Sequence, residues 1–457
     1  MISRRAFIRT TIASLAAQPK FASSGESIQL PLPEDLDGYA LVKRLGADVA
    51  RVERLGTSRE GRPLDLVSVG RGSHDVLIVG APHANEPIGC ATIVRLLERL
   101  AGDRSLREGS GWRWHFIPAI DIDGLALNQT WLRGPLTLSR YVEGFYRPPF
   151  ALEPEYAFPL DVPGYRFDRE TPESHCWRLA LDHIRPQMQC SLHGADTGGS
   201  FFIVSAYRPR LCEELQKLPA ANGITLNTSG DTSADLKTFA PGVFSFPDQD
   251  AVIARAIAAG KSPATVWDAG DSSAGYSIKR YKTFNMTCEV PLWLDARERD
   301  PGDSGKTLAD VVDDNIKMAR ADERLLTPYL SALEETSRTA EARALFASVK
   351  DAILQTDGTV DELEESKADP GSRRVLPYRD LVQYEAGTGM FRTLAMAARL
   401  ARLSGLGDVE ARSRTELAKR IGDFQRQARL TVVSLRSSTA LQMSALLATA
   451  RHLVEGY

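Results

Sequence analysis

Apolar and polar positions follow two different rhythms along this chain. Through roughly the first three hundred residues, short apolar runs stand between turn-forming residues: "DVLIVG" (75–80), "WHFIPAI" (114–120), "MQCSL" (188–192) and "FFIVS" (201–205). Such runs predict buried strands. After Glu86, the residues Ile93, Leu96, Leu97 and Leu100 recur at i, i+3, i+4 and i+7, so a helix follows the first strand directly. The alternation of strand and helix predicts an α/β fold, a mixed open sheet sandwiched by helices.

Beyond residue 300 the rhythm changes. Leu417, Ile421, Phe424 and Ala428 keep helical spacing, and the segments 308–335, 339–355 and 430–455 read as helical too. The stretch "LEESKADPGSRRVLP" (363–377) is charged and broken by proline and glycine, which predicts a loop or linker. The expected organisation is an α/β domain over 26–330 and an α-helical C-terminal region over 331–457. No internal repeat of 20 to 50 residues is visible.

With 457 residues, 43% of them hydrophobic, the chain can bury a large core. A formal charge of −3 and a pI near 6.2 provide no basic field for a phosphate backbone, so nucleic acid is not an expected partner. No apolar run is long enough to predict a membrane span. Residues 1–25 contain "SRRAFIR" (3–9), which fits a twin-arginine export signal and predicts a periplasmic or extracellular protein; without export it would be cytoplasmic. The five cysteines lack C-x-x-C spacing and read as buried free thiols.

Candidate chemistry begins at "APHANEP" (81–87), where His83 and Glu86 lie at a strand-to-helix turn. A histidine nitrogen and a carboxylate three positions apart can share one cation, and the pairing suits zinc. Spacing alone is weak, because the chain repeats it at His452 and Glu455, on an expected helix with no strand before it. Context separates the two copies. His193 in "SLHGADTGG" also follows an apolar strand, and ligands of open α/β sheets bind beyond the carboxyl ends of the strands. Three protein ligands plus a water make a catalytic zinc site. In "TFNMTCEVPLW" (283–293), Glu289 alternates with apolar neighbours and sits at a further strand end before Pro291. A carboxylate beside an activated water can take its proton and pass it to a leaving amine. Asp123 and Asp196 are candidates to hold a zinc-bound imidazole from behind.

These residues resemble the zinc metallocarboxypeptidase family, whose pattern is His-x-x-Glu after a strand, a distant histidine at another strand end and a late glutamate. His83, Glu86, His193 and Glu289 match it, and "IDIDG" (120–124) is similar to the family's Asn-Pro-Asp-Gly segment. The resemblance spans roughly residues 35–330. It implies a Zn²⁺ cofactor held by His83, Glu86 and His193, with Glu289 shuttling the proton. It further implies an arginine that steadies the oxyanion, for which Arg133 is the candidate. The family's Asn-Arg pair for a terminal carboxylate is matched only by Tyr146-Arg147, so Arg147 is the candidate there, with Arg140 in reserve. For the tyrosine that closes over substrate, Tyr276 is the candidate, and Tyr281 competes with it.

Three functions compete at this point. The first is a zinc carboxypeptidase acting on a peptide or amino-acid conjugate. The second is a zinc-dependent N-acyl amino acid deacylase, resembling the succinylglutamate desuccinylase and aspartoacylase relatives and favoured by the missing asparagine. The third is a non-catalytic zinc-binding module with a helical interaction region.

Overall fold

The computed structural model describes residues 27–230, 236–263, 267–368, 370–385 and 387–455; the twin-arginine motif lies outside them. Nine strands share one sheet: β1 (Ala50–Thr57), β2 (Pro63–Val69), β3 (His74–Gly80), β4 (Trp112–Ile117), β5 (Met188–Leu192), β6 (Phe202–Val204), β7 (Thr238–Ala240), β8 (Val243–Ser245) and β9 (Phe284–Cys288). Their order is β7-β8-β6-β9-β5-β3-β4-β2-β1. The four central strands, β9, β5, β3 and β4, are mutually parallel, whereas β6 and β2 run antiparallel to them. The sheet is therefore mixed and open, as the sequence predicts. β4 stops at Ile117 rather than at Ile120, because Pro118 has no N–H to extend the ladder.

Helices cover both faces. α1 (Ile88–Gly102) turns Ile93, Leu96, Leu97 and Leu100 into the core, all at 0–1% exposure. Its Gly89 lies over Leu192, while Trp177 of α2 (Pro172–Ile184) donates to Gln189. Residues 189 and 192 point to opposite faces of β5, so α1 and α2 form opposite layers.

The C-terminal helices are α3 (Leu308–Leu326), α4 (Ala340–Leu354), α5 (Arg392–Leu403), α6 (Gly407–Gln427) and α7 (Leu435–Glu455). One apolar cluster runs from Val76 and Ile78 of the sheet through Leu394 and Leu400 of α5 to Leu441 and Leu446 of α7. α7 is buried nearly all round from Ser438 to Ala450, the mark of a core helix. No helix among the described residues is long and apolar enough to cross a membrane.

Beyond residue 300, three further boundaries depart from the sequence reading. The 363–377 segment begins as helix, because Thr356–Ser366 continues through glutamates with good helix propensity. Only then does the chain turn at Pro370–Arg373 and pair Val375–Pro377 with Asp303–Thr307. The 308–335 segment is split at Thr327–Tyr329, where Pro328 interrupts the backbone ladder. Leu430–Val432 is a strand paired with Trp293–Asp295, and the helix begins only at Leu435.

Candidate metal centre

Three neighbouring parallel strands end at the same edge. Gly80 of β3 pairs with Leu192 of β5, and Thr287 of β9 pairs with Ser191, so the residues following each strand emerge side by side. After β3 the chain turns sharply: Ala81 takes a left-handed φ of 44°, and the Glu86 N–H closes a tight turn on the His83 carbonyl at 3.1 Å. Gly89 permits this packing, since a Cβ there would stand 2.6 Å from the Leu192 carbonyl. Behind the edge, Gln442 of α7 donates to the carbonyls of His193 (2.7 Å) and Cys288 (3.3 Å), and accepts from Thr92 of α1 at 2.6 Å. A single C-terminal side chain thus ties two of the three strand ends together.

Glu86 stands between the two histidines. Its Oε1 lies 2.8 Å from His83 Nδ1 and its Oε2 lies 3.2 Å from His193 Nδ1. Gly194 N–H donates to Oε2 at 3.1 Å, which aims the carboxylate from behind. Glu289 Oε1 is 3.6 Å from His193 Nδ1. Its backbone is pinned on both sides, N–H to the Phe201 carbonyl (3.0 Å) and carbonyl to the Ser200 hydroxyl. At 15% exposure, the Glu289 side chain is the most accessible of these groups. Among the described residues, donor atoms that lie within 4.8 Å of one another form two groups sharing His193: Glu86, His193 and Glu289, and His83, Glu155 and His193.

The sequence reading missed Glu153 and Glu155. Both are buried, at 4% exposure, in the turn that follows Arg147. Glu153 Oε2 is 3.2 Å from His83 Nε2, and Glu155 Oε2 is 2.9 Å from His193 Nε2 and 3.6 Å from His83 Nε2. Two carboxylates in the aromatic stretch "FYRPPFALEPEYAFP" (145–159) were the available signal, since buried charge needs a partner. Tyr156, between them and Ala157, stacks on His83 with ring centroids 6.0 Å apart.

The electrostatics ask for a cation. Burial and Arg147 push the His83 imidazolium down, but Glu86 and Glu153 outweigh them and raise its pKa to about 9. Burial likewise opposes ionisation of Glu153, yet Arg147 and His83 bring its pKa to about 2. Glu86 is held well below the usual carboxylate range against its burial, by His83 and His193. Four carboxylates face one arginine and two imidazoles here, and the histidine and carboxylate donors are of the type zinc accepts.

Other sequence candidates go elsewhere. Arg133 is half-exposed on a short strand paired with Ser27–Gln29, and its guanidinium meets Asp35. Arg140 closes its own loop on the carbonyls of Thr130, Arg133 and Pro135. The hydroxyls of Tyr276 and Tyr281 both donate to Asp182 of α2, at 2.8 and 2.6 Å, because the helix Ser273–Tyr281 turns them onto that layer. Asp123 accepts from Ser58, the Glu60 N–H and Arg62, and Asp196 from Tyr141 and Arg392. Arg147 does reach the centre, but its fork is filled: Nε and Nη2 donate to Glu153 at 2.6 and 3.0 Å, and Nη1 to Glu86 at 3.3 Å.

This edge lies partly within a stretch that matches a known family. The family model for zinc carboxypeptidases matches residues 40–144. It includes His83 and Glu86 and stops before Arg147, His193 and Glu289. No curated protein matches the chain. Similar solved structures include a metallo-carboxypeptidase from Burkholderia cenocepacia (17% identity, 55% of this chain and 58% of that one, TM-score 0.31). Carboxypeptidase A from Helicoverpa armigera gives 14% identity over 63% and 71% of the two chains, with a TM-score of 0.37. A metallo-carboxypeptidase from Pseudomonas aeruginosa, solved with (2-guanidinoethylmercapto)succinic acid, gives 17% identity over 55% and 58%, with a TM-score of 0.31. The chain thus spans little more than half the length of two of the three.

Proposed function

We propose that the protein is a zinc-dependent hydrolase that releases a C-terminal amino acid from a peptide or amino-acid conjugate. The observation that carries this reading is the placement of both Glu86 oxygens against the Nδ1 atoms of His83 and His193, with Glu289 beside the same His193 nitrogen. His83, Glu86 and His193 would hold the ion, and the match to the zinc carboxypeptidase model over 40–144 supports the choice of metal. Bound there, zinc supplies Lewis-acid polarisation of the scissile carbonyl and a more acidic water.

The remaining steps belong to the chain. Glu289 Oε1 takes the proton of the attacking water and later delivers it to the leaving amine; its pinned backbone keeps that oxygen at the edge, and its partial exposure lets substrate reach it. Arg147 balances Glu86 and Glu153 and so keeps both ionised in a buried setting.

The filled fork of Arg147 favours one second reading. A substrate carboxylate would have to displace Glu153 to be gripped there, which suits an N-acyl amino acid deacylase selecting mainly on the acyl group. Turnover of blocked dipeptides against simple N-acyl amino acids separates the two: a peptidase prefers the former by at least tenfold in kcat/KM, and the reverse preference makes the protein a deacylase. Turnover of neither by the zinc-loaded protein contradicts both.

A further inference from the structure

One convergence of cations stands apart from the metal centre. Where the helix Leu138–Gly144 meets α5 and α6, a cavity of about 180 Å³ is lined by Thr130, Glu143 and four arginines, Arg140, Arg399, Arg402 and Arg414. Four guanidinium groups around one small space repel one another unless negative charge answers them. Only two are answered by carboxylates. Arg399, 9% exposed, holds Glu341 through Nε and Nη2, both at 2.7 Å, and the carbonyls of Leu127 and Gly144 through Nη1. Arg414 Nε donates to Glu410 at 2.9 Å. Arg140 directs its fork to the neutral carbonyls of Thr130, Arg133 and Pro135, and Arg402 has no partner among the described residues.

The wall between these arginines carries a further donor. A Cβ on Gly144 would stand 2.2 Å from the Thr130 Oγ1, so it is the missing side chain that lets this hydroxyl lie there. A hydroxyl beside two guanidinium groups that no carboxylate neutralises is a donor set suited to a tetrahedral oxyanion. Glu143 opposes an anion, but it is exposed and forms no ion pair, so water screens it. Arg399 is buried and tied at three nitrogens, which gives the ligand a fixed wall.

We propose that this cavity binds a phosphate-type oxyanion, free or carried by a small organic molecule. The site does not depend on the zinc reading. An ion there bridges Arg140, within the stretch matched by the family model, to Arg402 and Arg414 of the C-terminal helices, and so fastens the two parts of the chain together.

The test is thermal unfolding of the full chain in sodium phosphate or glycerol phosphate, each against sodium chloride at equal ionic strength. The midpoint should rise saturably with phosphate, because a ligand of the native state stabilises it by mass action, and the tighter-binding of the two names the source. Arg402→Ala should unfold in chloride as wild type does and bind phosphate about 10-fold more weakly or worse. Glu143→Gln, which removes the opposing charge, should bind it more tightly. His193→Ala should keep the whole phosphate effect, which separates this cavity from an anion resting on a metal. No rise beyond that in chloride would overturn the proposal, as would a rise that Arg402→Ala retains in full, that Glu143→Gln weakens or that His193→Ala abolishes.

Discussion

The pairs His83/Glu86 and His452/Glu455 share one spacing and little else. The first stands on a turn past a parallel strand, beside a second histidine and three further carboxylates. The second lies on α7, where His452 Nε2 meets Glu214 at 2.9 Å and Arg451 meets the same carboxylate. Both histidines are buried, at 5% and 6% exposure, so burial does not separate them. What separates them is convergence. On a helix, residues three apart share a stripe already committed to packing, whereas ends of adjacent parallel strands gather side chains that the core does not need.

The comparison breaks most sharply at the ligands. His83→Ala and His193→Ala should each weaken zinc binding by more than 100-fold and remove turnover, while His452→Ala leaves both unchanged; equilibrium dialysis with metal analysis checks this. Glu289→Gln should keep full metal content and lower kcat by about 10²- to 10⁴-fold, measured by steady-state kinetics. Full turnover by that variant would remove Glu289 from the mechanism.

A carboxylate whose nearby cation, Arg299, is outweighed by burial sharpens the contrast. Glu298 accepts backbone N–H bonds from Gly198 and Asp295, yet burial dominates and raises its pKa to about 7. Its folded value lies above its unfolded one, so the native state holds the extra proton between about pH 4.5 and 7. Stability therefore falls as pH rises through that window, by at most about 3 kcal/mol. Urea midpoints should show a drop from this group between about pH 4.5 and 7, and Glu298→Gln should flatten it. Glu153, pulled down to about 2 by Arg147 and His83 despite its burial, contributes nothing to that window. The smallest effect belongs to His452→Ala, which removes one partner of Glu214 and should lower stability by about 1–2 kcal/mol in the same titration.

The strand ends were legible because a strand that stops at a polar or glycine-rich turn announces itself in one sequence, and parallel order then brings such ends together. That is how His83, Glu86, His193 and Glu289 come to one edge. Glu153 and Glu155 were not legible, since only the folded turn brings them to the histidines' Nε2 side. Arg133 and Tyr276 were placed by resemblance alone, and local partners, Asp35 and Asp182, hold them elsewhere. The C-terminal helices were visible as helices. Their reach to the centre, through Gln442 on the His193 carbonyl and the Ser348 hydroxyl on that of Arg147, depends on long-range packing that no spacing reveals.

The most direct test is the zinc content of three purified proteins after equilibration with excess zinc and desalting: wild type, His193→Ala and His452→Ala. The account predicts about one zinc per chain in wild type and in His452→Ala, and markedly less in His193→Ala. Equal zinc in all three, or none in wild type, would contradict it.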